Sequence, residues 1–348
     1  MQTFDAAVLI GRFQPFHNGH AALLRETLAR AGRVIVVIGS SFRSRNARNP
    51  FTWEERAAMI SASFDETVAR QIAFVPVRDY YDDRRWAAAV VKGVRTALEK
   101  LGIPAPRIAL AGFHKDASSD YLNLFPHWSF IALARQGEID ATAIRRIYFG
   151  TDDANAACAS LRSFVPSAVA RHLGGWAALP AFAAMREERQ AIEAYQKQWG
   201  AGPFVTLDAV ATAAEHVLLV RRKHAPGKDT WAIPGGFLEG RERLLQGAIR
   251  ELKEETKLDV SELALIDALR AVLVFDHPDR SQRGRIITHA HWFDLPSSDL
   301  PAVQGADDAA EARWFPLAAL PEMETAFFED HFAILDRLGV SSEAWKRL

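Results

Sequence analysis

The stretch "VLIGRFQPFHNGHAALL" at residues 8–24 decides the fold of the first part of the chain. An apolar run suitable for a buried strand ends at Gly11, and leucines then recur at helical spacing. A second apolar run, "VIVVIGS", follows at residues 34–40. Strand, helix and strand within about thirty residues predict a βαβ unit, which requires a parallel sheet.

The alternation of strand and helix patterns continues and then changes character. Apolar runs suitable for strands and amphipathic runs suitable for helices alternate at residues 72–77, 85–102, 107–113, 128–133 and 164–177. A polar, helix-forming run at residues 186–200 is typical of a solvated linker. Near Phe204 a new pattern begins, with two strands, a loop over residues 231–240, an amphipathic helix and a further strand. These patterns predict two α/β domains, at residues 1–185 and 204–348, joined by a linker helix at residues 186–203.

Composition limits the classes of function. The 348 residues carry a formal net charge of −1, so no global field attracts the protein to nucleic acid or to an anionic membrane. The single cysteine, Cys158, fits a reducing compartment, and no apolar run reaches the roughly 18 residues of a membrane span. The first residues lack the pattern of a signal peptide. We expect a cytoplasmic protein with small-molecule partners, and the composition leaves a homo-oligomer open.

Two histidines follow the first strand. His17 and His20 lie where the next helix begins, and residues three apart share a helix face. A helix N-terminus presents free N–H groups that bind phosphate, so the pair is suited to stabilising charge on a reacting phosphate. Metal binding is a weaker alternative, because no third ligand with good spacing is nearby. Two core histidines remain the plainest alternative.

These residues carry a first resemblance. "GRFQPFHNGH" resembles the phosphate-binding signature of the HxGH-class nucleotidyltransferases, and "IDATAIR" at residues 139–145 is similar to their second signature, with Asp140 where serine is usual. The resemblance implies a Rossmann-like, doubly wound parallel sheet, and catalysis by His17, His20 and Arg145. It also implies that ATP is bound by Gly11, Arg12, Phe13, His17, His20, Thr142 and Arg145.

Three further stretches resemble the nicotinamide mononucleotide (NMN) adenylyltransferases of the archaeal-type lineage. They are "NPFTWEER", "DYYDDRRW" and "GFHKDASSDYLNLFPHW". The resemblance implies that NMN is bound by Phe16, Asn49, Trp86, Lys115 and Asp116. Stacking of the cationic nicotinamide ring on Trp86 would add a cation–π interaction of about 0.5–2 kcal/mol. Trp86 fits a core position equally well, because it begins an amphipathic helix.

A second resemblance lies in "GGFLEGRERLLQGAIRELKEETKL" at residues 235–258. Counted from Gly236, the fixed residues stand at the spacing of the Nudix box, Gly-x5-Glu-x7-Arg-Glu-apolar-x-Glu-Glu-x-Gly-apolar, and Arg250 is expected to pair with Glu242. Lys257 replaces the final glycine, a left-handed helix C-cap, at an expected cost of about 1 kcal/mol of stability. The resemblance implies that the second domain is an α/β/α Nudix sandwich.

The carboxylates of this box indicate a divalent cation. Glu251, Glu254 and Glu255 are spaced so that they converge on one helix face. Such a cluster repels itself unless it binds hard cations, so we expect Mg²⁺, or Mn²⁺ in its place, on these carboxylates. The resemblance implies that Glu254 and Glu255 are the main ligands, that Glu251 and the carbonyl of Gly236 join them, and that Glu251 and Glu254 are the catalytic residues. A solvated acidic helix face is the alternative, but it does not account for the glycines and Glu242 at the right offsets.

The segment "FDHPDRSQRGRIITHAHWF" at residues 275–293 resembles that of NMN-adenylyltransferase-fused Nudix proteins acting on ADP-ribose. It implies ADP-ribose binding by Arg280, Arg283 and Arg285, although each alone could be a surface charge. The resemblances together predict two reactions: joining of NMN to the AMP moiety of ATP, giving NAD⁺ and pyrophosphate, and hydrolysis of ADP-ribose to AMP and ribose 5-phosphate. Two alternatives stay open: a Nudix domain that senses ADP-ribose or NAD⁺ without cleaving it, and a transferase with another acceptor, such as a pantetheine or cytidylyl family member.

Overall fold

The computed structural model describes residues 4–103, 106–112, 122–134 and 140–340. The chain divides into two compact units, Met1–Arg186 and Glu187–Leu348, each with its own sheet and hydrophobic core. The α/β class predicted from the sequence is confirmed for both. No helix within the described ranges is both long and apolar enough to cross a membrane.

The first unit has a five-stranded parallel sheet. Its strands are β1 (Ala6–Gly11), β2 (Val34–Ile38), β3 (Ile72–Pro76), β4 (Ile108–Gly112) and β5 (Ser129–Ala132). They lie in the order β3-β2-β1-β4-β5, and all four pairings are parallel. The strand order reverses between β1 and β4, and sheets of this kind bind ligands beyond the carboxyl ends of the strands at such a reversal.

Helices cover both faces of this sheet. They are α1 (Asn18–Leu28), α2 (Trp53–Ser61), α3 (Glu66–Ala69), α4 (Asp83–Lys100), α5 (Ala141–Tyr148), α6 (Ala154–Leu161) and α7 (Ser167–Trp176). Alternate side chains of β1 enter different cores: Ala7 and Leu9 pack with α1, α2 and α7, whereas Ala6 and Val8 pack with α4. The doubly wound topology is therefore confirmed. The polar run at residues 186–200 forms the C-terminal part of α8 (Pro180–Trp199), and only Gly200 lies beyond the helix. Helix α8 begins earlier than the pattern predicts, at a proline that suits a first helical position.

The second unit has a seven-stranded mixed sheet. Its strands are β6 (Phe204–Ala213), β7 (His216–Arg222), β8 (Trp231–Ala232), β9 (Gly235–Phe237), β10 (Leu269–Phe275), β11 (Ile286–Asp294) and β12 (Ala309–Pro316). The main path is β10-β11-β6-β7-β12, while β8 pairs with β7 and β9 with β6. Strands β6 and β11 are parallel to each other. Residues 231–240 were predicted as a loop, and this was wrong, because β8 and β9 are too short to show an alternating pattern.

The helix that carries the acidic cluster lies against β6. This helix, α9 (Leu244–Thr256), packs Ala248 and Leu252 into the same core as Leu207 of β6. The remaining helices are α10 (Glu262–Asp267), a 3-10 helix (Leu317–Ala326) and α11 (His331–Leu338). Helix α9 ends at Lys257, whose φ of 48° and ψ of 30° are left-handed. A lysine therefore adopts the conformation in which the Nudix box has glycine.

We predict that Lys257→Gly stabilises the second unit by about 1 kcal/mol, because glycine takes a positive φ without a steric penalty. The gain should appear as a higher midpoint of thermal or urea unfolding. Lys253→Gly is the matched control, since it lies inside α9 and should lower stability by about 1 kcal/mol instead. An unchanged or lower midpoint for Lys257→Gly would contradict the strain argument.

Candidate functional site

The loop after β1 approaches its neighbours closely. A Cβ added to Gly11 would lie 2.8 Å from Cζ of Phe13, which has a φ of 51° and folds its ring back over the glycine. Gln14 fixes the loop to Phe51: its Nε2 donates to the carbonyl oxygen at 2.8 Å, and its Oε1 accepts from the N–H at 3.0 Å. The loop is thereby held against the segment that precedes α2.

A pair of stacked histidines follows this loop. His17 caps α1, and its ring centroid lies 3.7 Å from that of His20, with 29° between the ring planes. His17 is 8% exposed. The Nδ1 atoms of both rings are buried without a hydrogen-bond partner among the described residues. Because buried polar atoms are normally paired, two such nitrogens at a helix N-terminus indicate a ligand that completes the site.

Burial keeps both rings neutral. It lowers the pKa of His17 to about 4, and the nearby Asp140 carboxylate offsets only part of this decrease. Burial also lowers the pKa of His20 well below its ordinary value, with a further contribution from His17. Near pH 7 the two rings therefore act as neutral hydrogen-bonding groups and not as cations.

Arg145 of α5 bonds the loop that precedes the histidines. Its Nη1 donates to the carbonyl of Gln14 at 2.6 Å, and its Nη2 donates to the hydroxyl of Thr142 at 3.3 Å. Burial lowers the pKa of Arg145 to about 10, and repulsion from Arg12 and Arg48 contributes to this decrease. Arg145 therefore stays charged at neutral pH, and three guanidiniums lie near the loop that precedes the histidines.

Two further arginines near this site were not predicted from the sequence. Arg48 belongs to the run "RSRNAR" at residues 43–48, which is typical of surface charge. Arg56 is fully buried and donates to the carbonyl oxygens of Arg12 at 2.7 Å and Gly39 at 2.8 Å. Arg56 thereby ties the end of β1 to the end of β2. No local pattern in the sequence distinguishes it from an exposed helix residue.

Asp140, which stands where serine is usual, begins α5. Its carboxylate accepts the N–H of Ala143 at 2.9 Å. Serine and aspartate are comparable N-caps, so the replacement keeps the start of the helix that carries Arg145. It adds a negative charge close enough to His17 to oppose the decrease in its pKa.

Two predicted nucleotide contacts lie in the core. Phe16 is fully buried, and its ring centroid is 5.8 Å from that of His20. The prediction that Phe16 contacts NMN is therefore wrong for the side chain, because the ring has no surface to offer a ligand. Phe13 is 3% exposed and meets His20 edge-on at 4.9 Å. Both rings pack against His20 instead.

The other predicted NMN contacts differ in their surroundings. Asn49 is 7% exposed, and its Oδ1 is buried without a partner among the described residues. Trp86 is half-buried in the first turn of α4 and packs edge-on against Phe125 at 5.8 Å. Lys115 and Asp116 lie outside the described residues.

In the second site, two glycines allow the backbone to approach the carboxylates closely. A Cβ at Gly236 of β9 would lie 2.4–2.7 Å from the carboxyl atoms of Glu251. A Cβ at Gly247, which was not singled out from the sequence, would lie 2.6 Å from Oε1 of Glu242. Glycine at both positions lets α9 approach β9 and the loop between them.

Arg250 binds three carboxylates of the acidic cluster. It pairs with Glu242 through two hydrogen bonds of 3.0 and 2.8 Å, as the sequence predicts. Its Nη1 donates to Glu251 and Glu254, both at 2.9 Å. These contacts, that with Glu242 above all, raise the pKa of Arg250 further above its ordinary value. The guanidinium of Arg250 therefore compensates negative charge of the carboxylates, for which the sequence analysis expected a divalent cation.

Glu255 is held separately, because its Oε2 accepts the N–H of Gly235 at 3.0 Å. Burial raises the pKa of Glu255 to about 8, and the carboxylates of Glu251 and Asp308 contribute. Within the described ranges no three potential ligands already converge as a metal site, so the expected convergence is only partial. The donor set still fits a hard divalent cation, which would compensate the buried carboxylate of Glu255.

A cavity lies beside this cluster. Its wall includes Thr206, Asp208, Arg222, Gly236, Phe237, Glu255, Arg280, Arg283, Phe328 and His331. Arg222 and His331 were not predicted, because they come from separate elements outside any contiguous motif. The guanidinium of Arg222 lies 4.2 Å from the ring centroid of Phe328, and Nδ1 of His331 accepts the N–H of Ile233 at 3.0 Å.

The three arginines predicted to bind ADP-ribose have different places. Arg280 is 5% exposed and pairs with Asp330 through hydrogen bonds of 3.0 and 3.1 Å, so it shapes the cavity wall. Arg283 lines the cavity, with its Nη2 3.7 Å from Glu329. Arg285 is not part of the wall, and its guanidinium donates to a backbone carbonyl.

Fold and sites together define a class: a nucleotidyltransferase-type domain followed by a Nudix-type domain. Residues 8–147 match the family model described as cytidylyltransferase-like, and residues 203–338 match that of the NUDIX domain. The Nudix fold predicted for the second domain is thereby confirmed.

Individual relatives narrow this class. The nicotinamide/nicotinic acid mononucleotide adenylyltransferase of Acinetobacter baylyi is 39% identical over 150 residues, which are 43% of this chain and 78% of that protein. The ADP-ribose pyrophosphatase of Methanocaldococcus jannaschii is 36% identical over 122 residues, 35% of this chain and 66% of that protein.

Solved structures cover both units. A bifunctional NMN adenylyltransferase/ADP-ribose pyrophosphatase from Francisella tularensis is 34% identical, with a TM-score of 0.86 over 96% of this chain and 98% of that chain. The same coverage holds for a structure complexed with AMP and a manganese ion, which is 32% identical with a TM-score of 0.84. The chain belongs to the family of bifunctional NMN adenylyltransferases/ADP-ribose pyrophosphatases.

We predict that His17 does not titrate in the neutral range, because burial lowers its pKa to about 4. Bound ATP should raise that pKa, since phosphate oxygens stabilise the protonated ring. Nuclear magnetic resonance of the imidazole C–H groups at varied pH measures both, and His17→Gln assigns the signal. A His17 signal that titrates near its ordinary pKa of 6.5 without ATP, or ignores ATP, would disprove the assignment.

Proposed function

We propose that the chain catalyses one reaction in each unit: adenylyl transfer from ATP to NMN in the first, and hydrolysis of ADP-ribose in the second. The observation that carries the proposal is a matched pair of charge clusters. In one site Arg145, with Arg12 and Arg48 near it, bonds the loop that leads to the orphaned imidazoles, and in the other three carboxylates surround Arg250 beside a cavity. Membership of a bifunctional family supports the same assignment.

In the first site the phosphate of NMN attacks the α-phosphorus of ATP in line. The new P–O bond forms NAD⁺, and pyrophosphate leaves with the electrons of the broken bond. No side-chain nucleophile is needed, because the attacking phosphate is already anionic. His17 and His20 hydrogen-bond the phosphate oxygens, and Arg145, with Arg12 and Arg48, stabilises the charge that spreads over them. Mg²⁺ accompanies ATP as part of the substrate.

We assign the recognition of NMN to Asn49 and Trp86, with Lys115 and Asp116 carried over from the family resemblance. The unpartnered Oδ1 of Asn49 is available to accept a hydrogen bond from the ligand. A pyridinium ring stacked on the indole of Trp86 gains a cation–π interaction that an uncharged acceptor lacks. This favours NMN over the pantetheine or cytidylyl acceptors.

In the second site Glu251, Glu254, Glu255 and the carbonyl of Gly236 would hold Mg²⁺ or Mn²⁺. When bound, the cation supplies Lewis-acid polarisation of the diphosphate and activation of water. Arg283 lines the cavity beside this cluster and is placed to bind the diphosphate, while Arg280 keeps the wall in shape. The pair of Arg250 with Glu242 holds the loop to α9.

A Nudix domain that only senses ADP-ribose or NAD⁺ is the second candidate. It is disfavoured because binding alone does not require Glu251, Glu254 and a buried Glu255 at one end of a cavity. We further propose domain boundaries at residues 1–185 and 204–348, with the helix between them as linker, which the two compact units support. The single cysteine supports a cytoplasmic location.

His20→Ala is expected to lower NAD⁺ formation from NMN and ATP roughly 100-fold, because one preorganised hydrogen-bonding group at the transferred phosphate is lost. ADP-ribose hydrolysis should be unchanged. His127→Ala, an exposed histidine of the same unit, is the control and should retain full activity. Normal NAD⁺ formation by His20→Ala would remove His20 from the mechanism.

Glu254→Gln is expected to abolish release of AMP from ADP-ribose and to spare NAD⁺ synthesis, because only the second site loses a cation ligand. Chelation of divalent cations should have the same effect on hydrolysis, reversed by Mg²⁺ or Mn²⁺. Glu262→Gln, an exposed acid in the first turn of α10, is the control. Binding of ADP-ribose by the unaltered chain without any cleavage would favour the sensor.

A further inference from the structure

The outer edge of β10 is apolar, although no other strand of the described part of the chain pairs with it. Strand β10 (Leu269–Phe275) lies at one end of the sheet path in the second unit. Three consecutive side chains on it, Val272, Leu273 and Val274, are 43%, 36% and 54% exposed. Consecutive side chains point to opposite faces of a strand, so apolar groups are exposed on both faces at this edge. An exposed apolar edge strand is a template for pairing with another chain.

The opposite edge of the same sheet is protected. Strand β12 carries the charged side chains Glu311 and Arg313, and its last residue is Pro316. Charged side chains and proline at an edge discourage pairing with a second strand. The apolar run of β10 is uninterrupted from Ala271 to Phe275. The exposed apolar edge is therefore a feature of β10 and is not shared by the other end of the sheet.

The sequence of β10 complements itself in an antiparallel pair. A two-fold axis at Leu273 places Val272 of one copy opposite Val274 of the other and Leu273 opposite its own copy. The irregularity in the pairing of β10 with β11 lies before Ala271. Residues 271–275 are thus the regular part of the strand, and this register pairs all of them.

Opposite charges flank the regular segment. Arg270 precedes it and Asp276 follows it, and both residues are exposed. Arg270 forms an ion pair of 3.4 Å with Asp294, and its side chain is still 62% exposed. The two-fold axis at Leu273 brings Arg270 of each copy opposite Asp276 of the other, so the pair of strands contains this match twice. A register shifted by one residue would lose both matches.

We propose that the second unit forms a two-fold dimer by antiparallel pairing of β10 with β10 of a second copy of this chain. The main path of the sheet then continues from one copy into the other. A two-fold interface uses the same patch on both copies, as a self-complementary strand requires. The match of Arg270 with Asp276 favours a second copy over an unrelated strand, because the copy supplies both charges at the required spacing. One strand pair is a small contact, so we expect a dimer that dissociates on dilution.

Sedimentation velocity of the full chain over a series of concentrations tests the pairing. The unaltered chain should double in mass as its concentration rises. Leu273→Lys places two ammonium groups opposite each other at the axis and should raise the dissociation constant roughly 10- to 100-fold. Val274→Lys, at a more exposed position, should act in the same direction. The midpoint of thermal unfolding, measured at a dilution where the parent is dissociated, checks that each variant is folded.

Charge reversal tests the register. Arg270→Asp and Asp276→Arg each create two pairs of like charges in the dimer, and each should weaken self-association roughly 10-fold. An equimolar mixture of these two variants should regain the parent affinity, because each chain then supplies the charges that its partner lacks. Arg95→Asp reverses an arginine of α4 whose side chain is 71% exposed, and it should leave self-association unchanged.

Three results would overturn the inference. A chain that does not self-associate at any concentration has no such dimer, and this is also the expected result if a different protein covers β10. Parent self-association in both Leu273→Lys and Val274→Lys would mean that the contact lies elsewhere on the chain. Weakening by both charge reversals without recovery in their mixture would contradict the two-fold register, whereas recovery supports it.

Discussion

The two hydrogen bonds between Arg250 and Glu242 set the geometry of the acidic site. The same guanidinium bonds Glu251 and Glu254, so three carboxylates share one positive charge. Two unit charges about 4 Å apart interact by about 4 kcal/mol at the effective dielectric constant near a protein surface, so without Arg250 these carboxylates would repel strongly. Removal of one partner from a partly buried charge cluster leaves the others uncompensated. The close approach of α9 to β9 depends on this compensation.

The first site gathers the opposite charge. Arg12, Arg48 and Arg145 lie near enough to affect one another, and the pKa of Arg145 is lowered to about 10 chiefly by burial. Two protonated histidines would add further repulsion, but burial keeps His17 and His20 neutral. The two sites therefore concentrate charges of opposite sign, and burial shifts the pKa values of His17 and Glu255 in opposite directions.

The sequence predicts local secondary structure, but it does not predict contacts between residues from distant parts of the chain. Strands β1 and β2 are continuous apolar runs, so their parallel pairing follows from the pattern, whereas β8 and β9 are too short for any period to appear. The Arg250–Glu242 pair was expected from the resemblance to the Nudix box and is present. Arg222 and His331 reach the cavity from separate elements, so spacing along the chain holds no sign of them. The predicted contact of Phe16 with NMN does not fit its buried ring, because being next to His17 in the sequence does not determine the direction of a side chain.

Departures from the family patterns fall at positions with backbone roles. Asp140 caps α5 as serine would, and Lys257 takes the left-handed conformation of a glycine at a cost in stability. Gly236 and Gly247 are different, because an added Cβ would overlap carboxylates that Arg250 holds in place. A glycine needed for its φ can therefore be replaced with some strain, whereas a glycine needed for close approach cannot be replaced without moving the charges. This distinction explains why the loss of the last glycine of the box leaves the acidic cluster intact.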